Sequence, residues 1–347
     1  MNEIKENIRK YYLTFLDREP DSIGLEHYFK LIRDGKLKIQ DLEEVFKNSD
    51  EYKKISMSKK WNERTKIFWC NCNCNCPDIH PMFDYNHNVC SSCIGIKDKT
   101  KQNFGDLVTS YIFSKIHKKN PIWSDEKNSS KSIYFGSGSM MNLCVGRKNI
   151  IIWGTGIIHS KDVFEKPKYV LAVRGPLTRK RFLELGYECP EIYGDPALLL
   201  PSFYNKKMPV QYEIGIIPHY VDYEFCKKQF SHLDNVLVID VCDDVETVID
   251  NIRRCKRTLS SSLHGIIVSN AYGIKSAWIK FSNYVYGDDV KFLDYYYSLQ
   301  LTNVHKPIQI ETSSFRNMDY LIDVIEKYPN PQFPINTDKL LETCPFQ

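Results

Sequence analysis

Thr258 to Tyr272 reads TLSSSLHGIIVSNAY. An apolar run ends in a tight turn that carries Ser260, Ser261, Ser262 and His264, and a helix follows. A helix N-terminus presents unpaired N–H groups and a partial positive charge, so the turn suits an anion. Three hydroxyls and an imidazole add donors. Gly265 would let the backbone come close to a bound group. Serine before a helix is also an ordinary cap, and His264 reads equally as a core histidine. The stretch alone leaves both readings open.

Outward from it the same corner recurs. From about residue 101, NFGD leads into the amphipathic helix LVTSYIFSKI, and SIYFGSGSM and NIIIWGTGI read as strands ending in glycine-rich turns. KYVLAVRGPLTRKRFLELG is a strand, then Arg174-Gly175-Pro176, then a helix with proline at a favoured first position. EIGIIPHY, NVLVIDV, RTLSSS and SAWIKF are strands separated by helical DYEFCKKQF, VETVIDNIRRC and LHGIIVSNAYG. Apolar strands alternating with amphipathic helices predict an α/β fold with parallel sheets covered on both faces. Two such sets, split near Pro201 to Pro209, predict two Rossmann-like lobes facing a cleft, over 101–208 and 209–347. The helix NMDYLIDVIEKYP is expected to pack back on the body.

Upstream the texture differs. Residues 1–58 read as a small all-helical bundle, with Ile4, Ile8, Tyr11, Tyr12, Phe15 and Leu16 on one face. FLDREPDSIGLEHYF resembles a short helical module typified by FLGREPDxxGLxYW, found appended to bacterial surface and glycan-related proteins. Its residues read as cap and core chemistry. Residues 59–100 form a cysteine-rich insert or linker, in which KIFWC reads as a short strand. Cys90 and Cys93 have metal-hairpin spacing, and Cys76 and His87 could complete a tetrahedral zinc site. Cys70, Cys72, Cys74 and Cys76 alternate in a pattern that is not a standard zinc spacing, so a surface loop with reduced thiols competes with that reading.

The 347 residues suffice for two core-bearing domains and a small module, and the net charge of +4 is too small to argue for nucleic acid. No apolar run has the length of a membrane span. The N-terminus MNEIKENIRKYY lacks an apolar signal core, so a cytoplasmic location is expected, with the twelve cysteines reduced. Oligomeric state is left open.

In open parallel sheets ligands bind beyond the carboxyl ends of the strands. Arg174, Asp195, His219 and Ser260 to His264 all follow predicted strands. Arg174 offers a fixed fork for a carboxylate or phosphate. Each also has a plain alternative: an ion pair for Arg174, a turn for Asp195, a core histidine for His219.

In order, NFGD (Asn103 to Asp106), WGTG (Trp153 to Gly156), AVRGPLT (Ala172 to Thr178), YGDPALLLP (Tyr193 to Pro201), IPHY (Ile217 to Tyr220), SSSLHG (Ser260 to Gly265) and KFLDYYYS (Lys291 to Ser298) resemble the polysaccharide pyruvyl transferase family. The resemblance covers roughly residues 101–300. It implies a two-lobed fold like that of the metal-independent GT-B glycosyltransferases. It also implies transfer of a pyruvyl group from phosphoenolpyruvate to sugar hydroxyls, giving a pyruvate ketal, with no cofactor required. The acceptor is a glycan or glycolipid precursor, a lipid-linked glycan at a membrane surface included. Arg174 and His264 fall on the positions the family associates with donor binding and catalysis.

The chemistry suits the residue types. The donor's carboxylate and phosphate call for an arginine and a helix N-terminus. Protonating its methylene carbon calls for an acid near neutral pKa. His264 is read as acid or phosphate donor, Arg174 as anion clamp, His219 as a second acid, and Asp106 or Asp195 as base. Asn103, Gly105, Asp195, Ser260, Ser261, Ser262, Leu263 and Gly265 line the substrate. Arg174→Ala and His264→Ala are each expected to abolish ketal formation and leave the fold intact. Two rivals stand beside this reading: a GT-B glycosyltransferase using a nucleotide sugar, with Asp240 or Asp243 at the ribose, and a non-catalytic glycan-binding scaffold.

Overall fold

The structure is a computed structural model. It describes residues 2–16, 18–49, 51–52, 66–68, 102–119, 121–123, 131–230, 232–304, 306–309 and 317–347. The chain divides into two compact units, Met1–Arg64 with Phe346–Gln347, and Thr65–Pro345.

The first unit is helical. α1 (Asn2–Tyr11) runs into a π-helical turn at Tyr12–Leu16, and α2 (Ser22–Arg33) and α3 (Leu42–Asn48) follow. Ile8, Tyr12, Leu16, Phe29, Leu42 and Phe46 form its core. Asp21 caps α2 by accepting from Gly24 N at 2.7 Å. A side chain at Gly24 would run into the Tyr12 hydroxyl. Arg18 ties Asp21 to Glu51. The Arg-Glu-Pro-Asp motif is thus cap and packing chemistry.

The second unit holds two five-stranded parallel sheets. The first has strands β1 (Lys66–Phe68), β2 (Ile122–Trp123), β3 (Ile133–Phe135), β4 (Ile150–Trp153) and β5 (Tyr169–Ala172), in the order β2-β1-β3-β4-β5. The second has β6 (Tyr212–Ile217), β7 (Val236–Val238), β8 (Cys255–Ser260), β9 (Ser276–Lys280) and β10 (Ile308–Gln309), in the order β10-β9-β8-β6-β7. Numbered within its own sheet and read from β7, the second order becomes 2-1-3-4-5, the same as the first. In each the order reverses between the first and third strands, β1/β3 and β6/β8. That is where open α/β sheets take ligands.

β1 sits inside the first sheet, between β2 and β3, with Lys66 opposite both Ile122 and Ile133. The sheet therefore begins upstream of residue 101, within the stretch read as an insert. KIFWC is a strand as read, over Lys66–Phe68, but three residues show no period that would assign it to this sheet.

Helices cover the sheets: α4 (Phe104–His117), α5 (Pro176–Glu184), α6 (Tyr223–Phe230), α7 (Val245–Arg253), α8 (Leu263–Ala271), α9 (Val290–Ser298) and α10 (Met318–Lys327). β3 and β4 are buried throughout, as expected of central parallel strands. Ile133, Phe135, Ile150, Ile152, Phe164, Val173 and Phe182 build the first sheet's core. Cys144, Cys226, Cys242 and Cys255 are buried and outside any disulfide, and a thiol so placed packs as a small hydrophobe. α10 lies against β8 and β9, where Glu326 pairs with Arg257 at 2.7 Å and with Lys275. Beyond it the chain returns to the first sheet. Leu340 O accepts from Trp153 Nε1 at 3.2 Å, and the Leu340 side chain fills the space at Gly194.

The two halves of this unit are fastened at their strand ends. Phe104 N donates to Val241 O at 2.8 Å, and Glu246 on α7 takes both the Tyr111 hydroxyl and Lys115 from α4.

Candidate active site

The turn Ser137-Gly138-Ser139, just after β3, is where the two halves meet. Ser137 Oγ donates to Gly105 O at 2.6 Å and lies 3.0 Å from His264 Nε2. A hydroxyl has one proton, and a carbonyl can only accept, so Ser137 accepts from His264. Asp195 Oδ2, 3.4 Å from the same nitrogen, is a second acceptor. Both neighbours therefore place a proton on Nε2. His264 is buried at the second position of α8. Its ring packs on the first turn of α4. A Cβ at Gly105 would run into Nδ1 and Cγ, which explains a glycine at that place in NFGD. Asn103 caps α4 by accepting from Gly105 N at 3.1 Å. It is a buried cap.

Asp195 is fully buried and does three things. It caps the next turn through Ala197 N at 3.0 Å, meets Gly138 N at 3.4 Å, and faces His264. Asp106, partly buried in the first turn of α4, sits against the same turn. A Cβ at Gly138 (φ +109°) would lie 3.2 Å from its Oδ1.

Arg174 is wholly buried, and each of its three nitrogens donates to a group of the protein. Nε pairs with Asp294 Oδ2 at 3.1 Å, Nη1 donates to Ser139 Oγ at 2.6 Å, and Nη2 donates to Ile157 O at 2.6 Å. Asp294, on α9, also accepts from Leu177 N, Thr178 N and Thr178 Oγ1 at 2.8, 2.9 and 2.6 Å. The pair joins the start of α5 to a helix of the other half. Arg174 and His264 thus converge on one three-residue turn, through Ser139 and Ser137.

The serines of the Ser260 to Ser262 stretch divide their work. Ser260 Oγ lies 2.9 Å from Ile217 O and accepts from Ser262 N at 3.0 Å, bracing the strand end. Ser261 Oγ accepts from His219 N at 2.9 Å. Ser262 takes the N-cap position of α8 with no side-chain cap bond, so the N–H groups from Leu263 onward open the helix. At Gly265 the missing side chain makes room for Ser260 Oγ and Ile217 rather than for a ligand.

Lys291 is the group that sequence reasoning missed. It opens the KFLDYYYS stretch, on the first turn of α9, and is buried. Its Nζ donates to Tyr286 O at 3.0 Å. Burial pushes its pKa down to about 8, and the Arg174 charge adds to this against the pull of Asp289 and Asp106. His219, at the end of β6, is held neutral. Burial lowers its pKa to about 3, and Lys291 contributes. A histidine this far below neutrality is poorly matched to donating a proton at pH 7. Ser137, Ser139 and Asp294 were also missed. Their only sequence signal was a glycine-rich turn and an acidic residue inside a helix.

Among the described residues no group of three His, Cys, Asp or Glu is placed to hold a metal ion. Cys76, His87, Cys90 and Cys93 lie outside the described residues. A surface hollow of about 400 Å³ lined by Lys166, Lys168, Tyr169 and Glu188 lies at the opposite end of β5 from Arg174, away from this cluster.

The model of the family described as polysaccharide pyruvyl transferase matches residues 40–283, most of the chain. The chain belongs to that family. The match begins well before residue 101, in keeping with β1 as an interior strand. Over 155 residues the chain is 37% identical to an uncharacterized protein of Acanthamoeba polyphaga mimivirus, covering 43% of this chain and 54% of that protein, so it spans about half the relative's length. A functionally uncharacterized protein from Klebsiella pneumoniae is similar among solved structures, with a TM-score of 0.37 and 14% identity over 74% of this chain and 98% of that one. No helix among the described residues is long and apolar enough to cross a membrane.

Proposed function

We propose that the protein transfers a pyruvyl group from phosphoenolpyruvate to two hydroxyls of a glycan, forming a pyruvate ketal and releasing phosphate. One observation carries the reading: His264 and Asp106 sit against one turn after β3, at the start of α8, and Lys291 lies near enough for Asp106 and Arg174 to act on its charge. The donor is a small trianion, and Lys291 with the helix N-terminus supplies the positive field it needs. Arg174 orders the Ser139 turn and adds its charge from behind.

The steps balance. A proton from His264 goes to the donor's methylene carbon, and a sugar hydroxyl adds to the adjacent carbon while giving its proton to Asp106. A second hydroxyl then closes the ring. The bond to phosphate breaks, and phosphate leaves with the electron pair and the second hydroxyl's proton. Asp195 and Ser137 accept from Nε2 and fix the direction of the imidazole. The pair of lobes is read as GT-B-like, split near 208/209, with a glycan acceptor entering from the outer rim.

Purified protein is incubated with phosphoenolpyruvate and methyl glycosides of galactose, mannose and glucose, and released phosphate is followed. Parallel arms carry UDP-glucose and GDP-mannose. Phosphate release that depends on a glycoside and is lost in His264→Gln is the expected result. Consumption of a nucleotide sugar with phosphoenolpyruvate untouched would overturn it in favour of glycosyl transfer.

A further inference from the structure

The loop between β9 and α9 carries two tyrosines that bury little. Tyr284 is 81% exposed and Tyr286 is 62% exposed. The loop beneath them is braced from both halves of the unit. Asp288 Oδ2 accepts from Ser160 N at 2.9 Å and from Ser160 Oγ at 2.7 Å. Burial works upward on Asp288, but these bonds outweigh it and hold the carboxyl below its usual range. Gly287 has φ +119°, and a Cβ there would come 2.9 Å from Ile158 O. Asp289 pairs with Lys280 at 2.6 Å. The Tyr286 ring meets His159 edge to face, with centroids 4.9 Å apart. Tyr286 O is the acceptor that holds Lys291.

Two aromatic rings thus stand in solvent on a fixed base, one hydrogen bond from the lysine assigned to the donor. An aromatic side chain pays for its place in a fold by burial, and these do not. The partners bonded or stacked against the loop are polar: His159, Ser160, Lys280. A protein-docking patch would centre on apolar side chains with a polar rim. A rigid ring among hydrogen-bonding groups suits a ligand with one C–H face and a rim of hydroxyls.

We propose that Tyr284 and Tyr286 form the acceptor platform, stacking on the C–H face of a pyranose and presenting its hydroxyls toward Lys291 and His264. The proposal deepens the pyruvyl-transfer reading, on which it rests for the fate of the sugar but not for the sugar's binding.

The test uses the full chain and the three methyl glycosides without donor, by saturation-transfer NMR. Wild type is expected to saturate the ring C–H protons of at least one glycoside. Y284A/Y286A, which keeps the Tyr286 carbonyl for Lys291, is expected to lose about tenfold in affinity, and Y284F/Y286F to retain it within about threefold. With phosphoenolpyruvate present, the alanine pair raises the glycoside KM by about the same factor and leaves the donor KM unchanged within about twofold. Absence of saturation in wild type, or affinity in the alanine pair within about twofold of wild type, overturns the platform. Glycoside binding through the tyrosines without donor consumption would sink pyruvyl transfer and support the platform. Donor consumption with an unaltered glycoside KM in the alanine pair would do the reverse.

Discussion

Lys291 carries the sharpest residue-scale expectation. Its pKa near 8 means that its charge is present below that pH and fades above it. Donor affinity should therefore be full at neutral pH and fall as pH rises through about 8. Lys291→Met should raise the donor KM by about 10- to 100-fold, the worth of one charge-assisted hydrogen bond. It should also erase the alkaline limb, measured as donor KM against pH. An unchanged limb in the variant would assign it to another group. At this scale the sequence was half legible. His264 was singled out because Ser-Leu-His-Gly at a strand end suits an anion, whereas Gly105 entered only through the family resemblance of NFGD. Lys291 was passed over, because one lysine among 47 basic residues has no signature until burial gives it one.

Among elements, the telling contact is between the start of α5 and α9. Arg174 was expected to be a free clamp whose loss would spare the fold. It is a buried partner of Asp294, 120 residues away, and no local pattern discloses a pairing at that range. Removing one member leaves the other charge buried alone, at a cost of roughly 3–5 kcal/mol. Asp294→Ala should thus lower unfolding stability by at least about that amount in urea, and Arg174→Met with Asp294→Leu together should recover only the part owed to the unpaired charge, because Leu177 N, Thr178 N and Thr178 Oγ1 still lose their acceptor. A single variant as stable as wild type would refute the rivet. The strands and helices themselves were readable from periodicity and glycine-rich turns. β1 was not read as part of the first sheet, since three residues carry no period.

For the molecule as a whole, proton linkage through His219 predicts how stability follows acidity. The folded chain holds this histidine neutral down to about pH 3, while the unfolded chain takes up a proton near the ordinary value of about 6.5. Stability from this group is complete above pH 6.5, about the unfolded pKa, and drains away as pH falls toward 3. His219→Gln should flatten the acid limb of a melting-temperature profile; an identical limb would place the loss elsewhere. The paired parallel sheets were foreseeable from apolar strands alternating with amphipathic helices, whereas the shared 2-1-3-4-5 order came only from the ladders. One contact has a wider bearing. His264 belongs to the second sheet's half, yet both acceptors that steady its Nε2, Ser137 and Asp195, come from the first. Any parting of the halves wide enough to unseat the turn unhooks the imidazole at the same stroke. On the pyruvyl-transfer reading, His264 would then lose its fixed aim, and proton donation would stop until the halves close again.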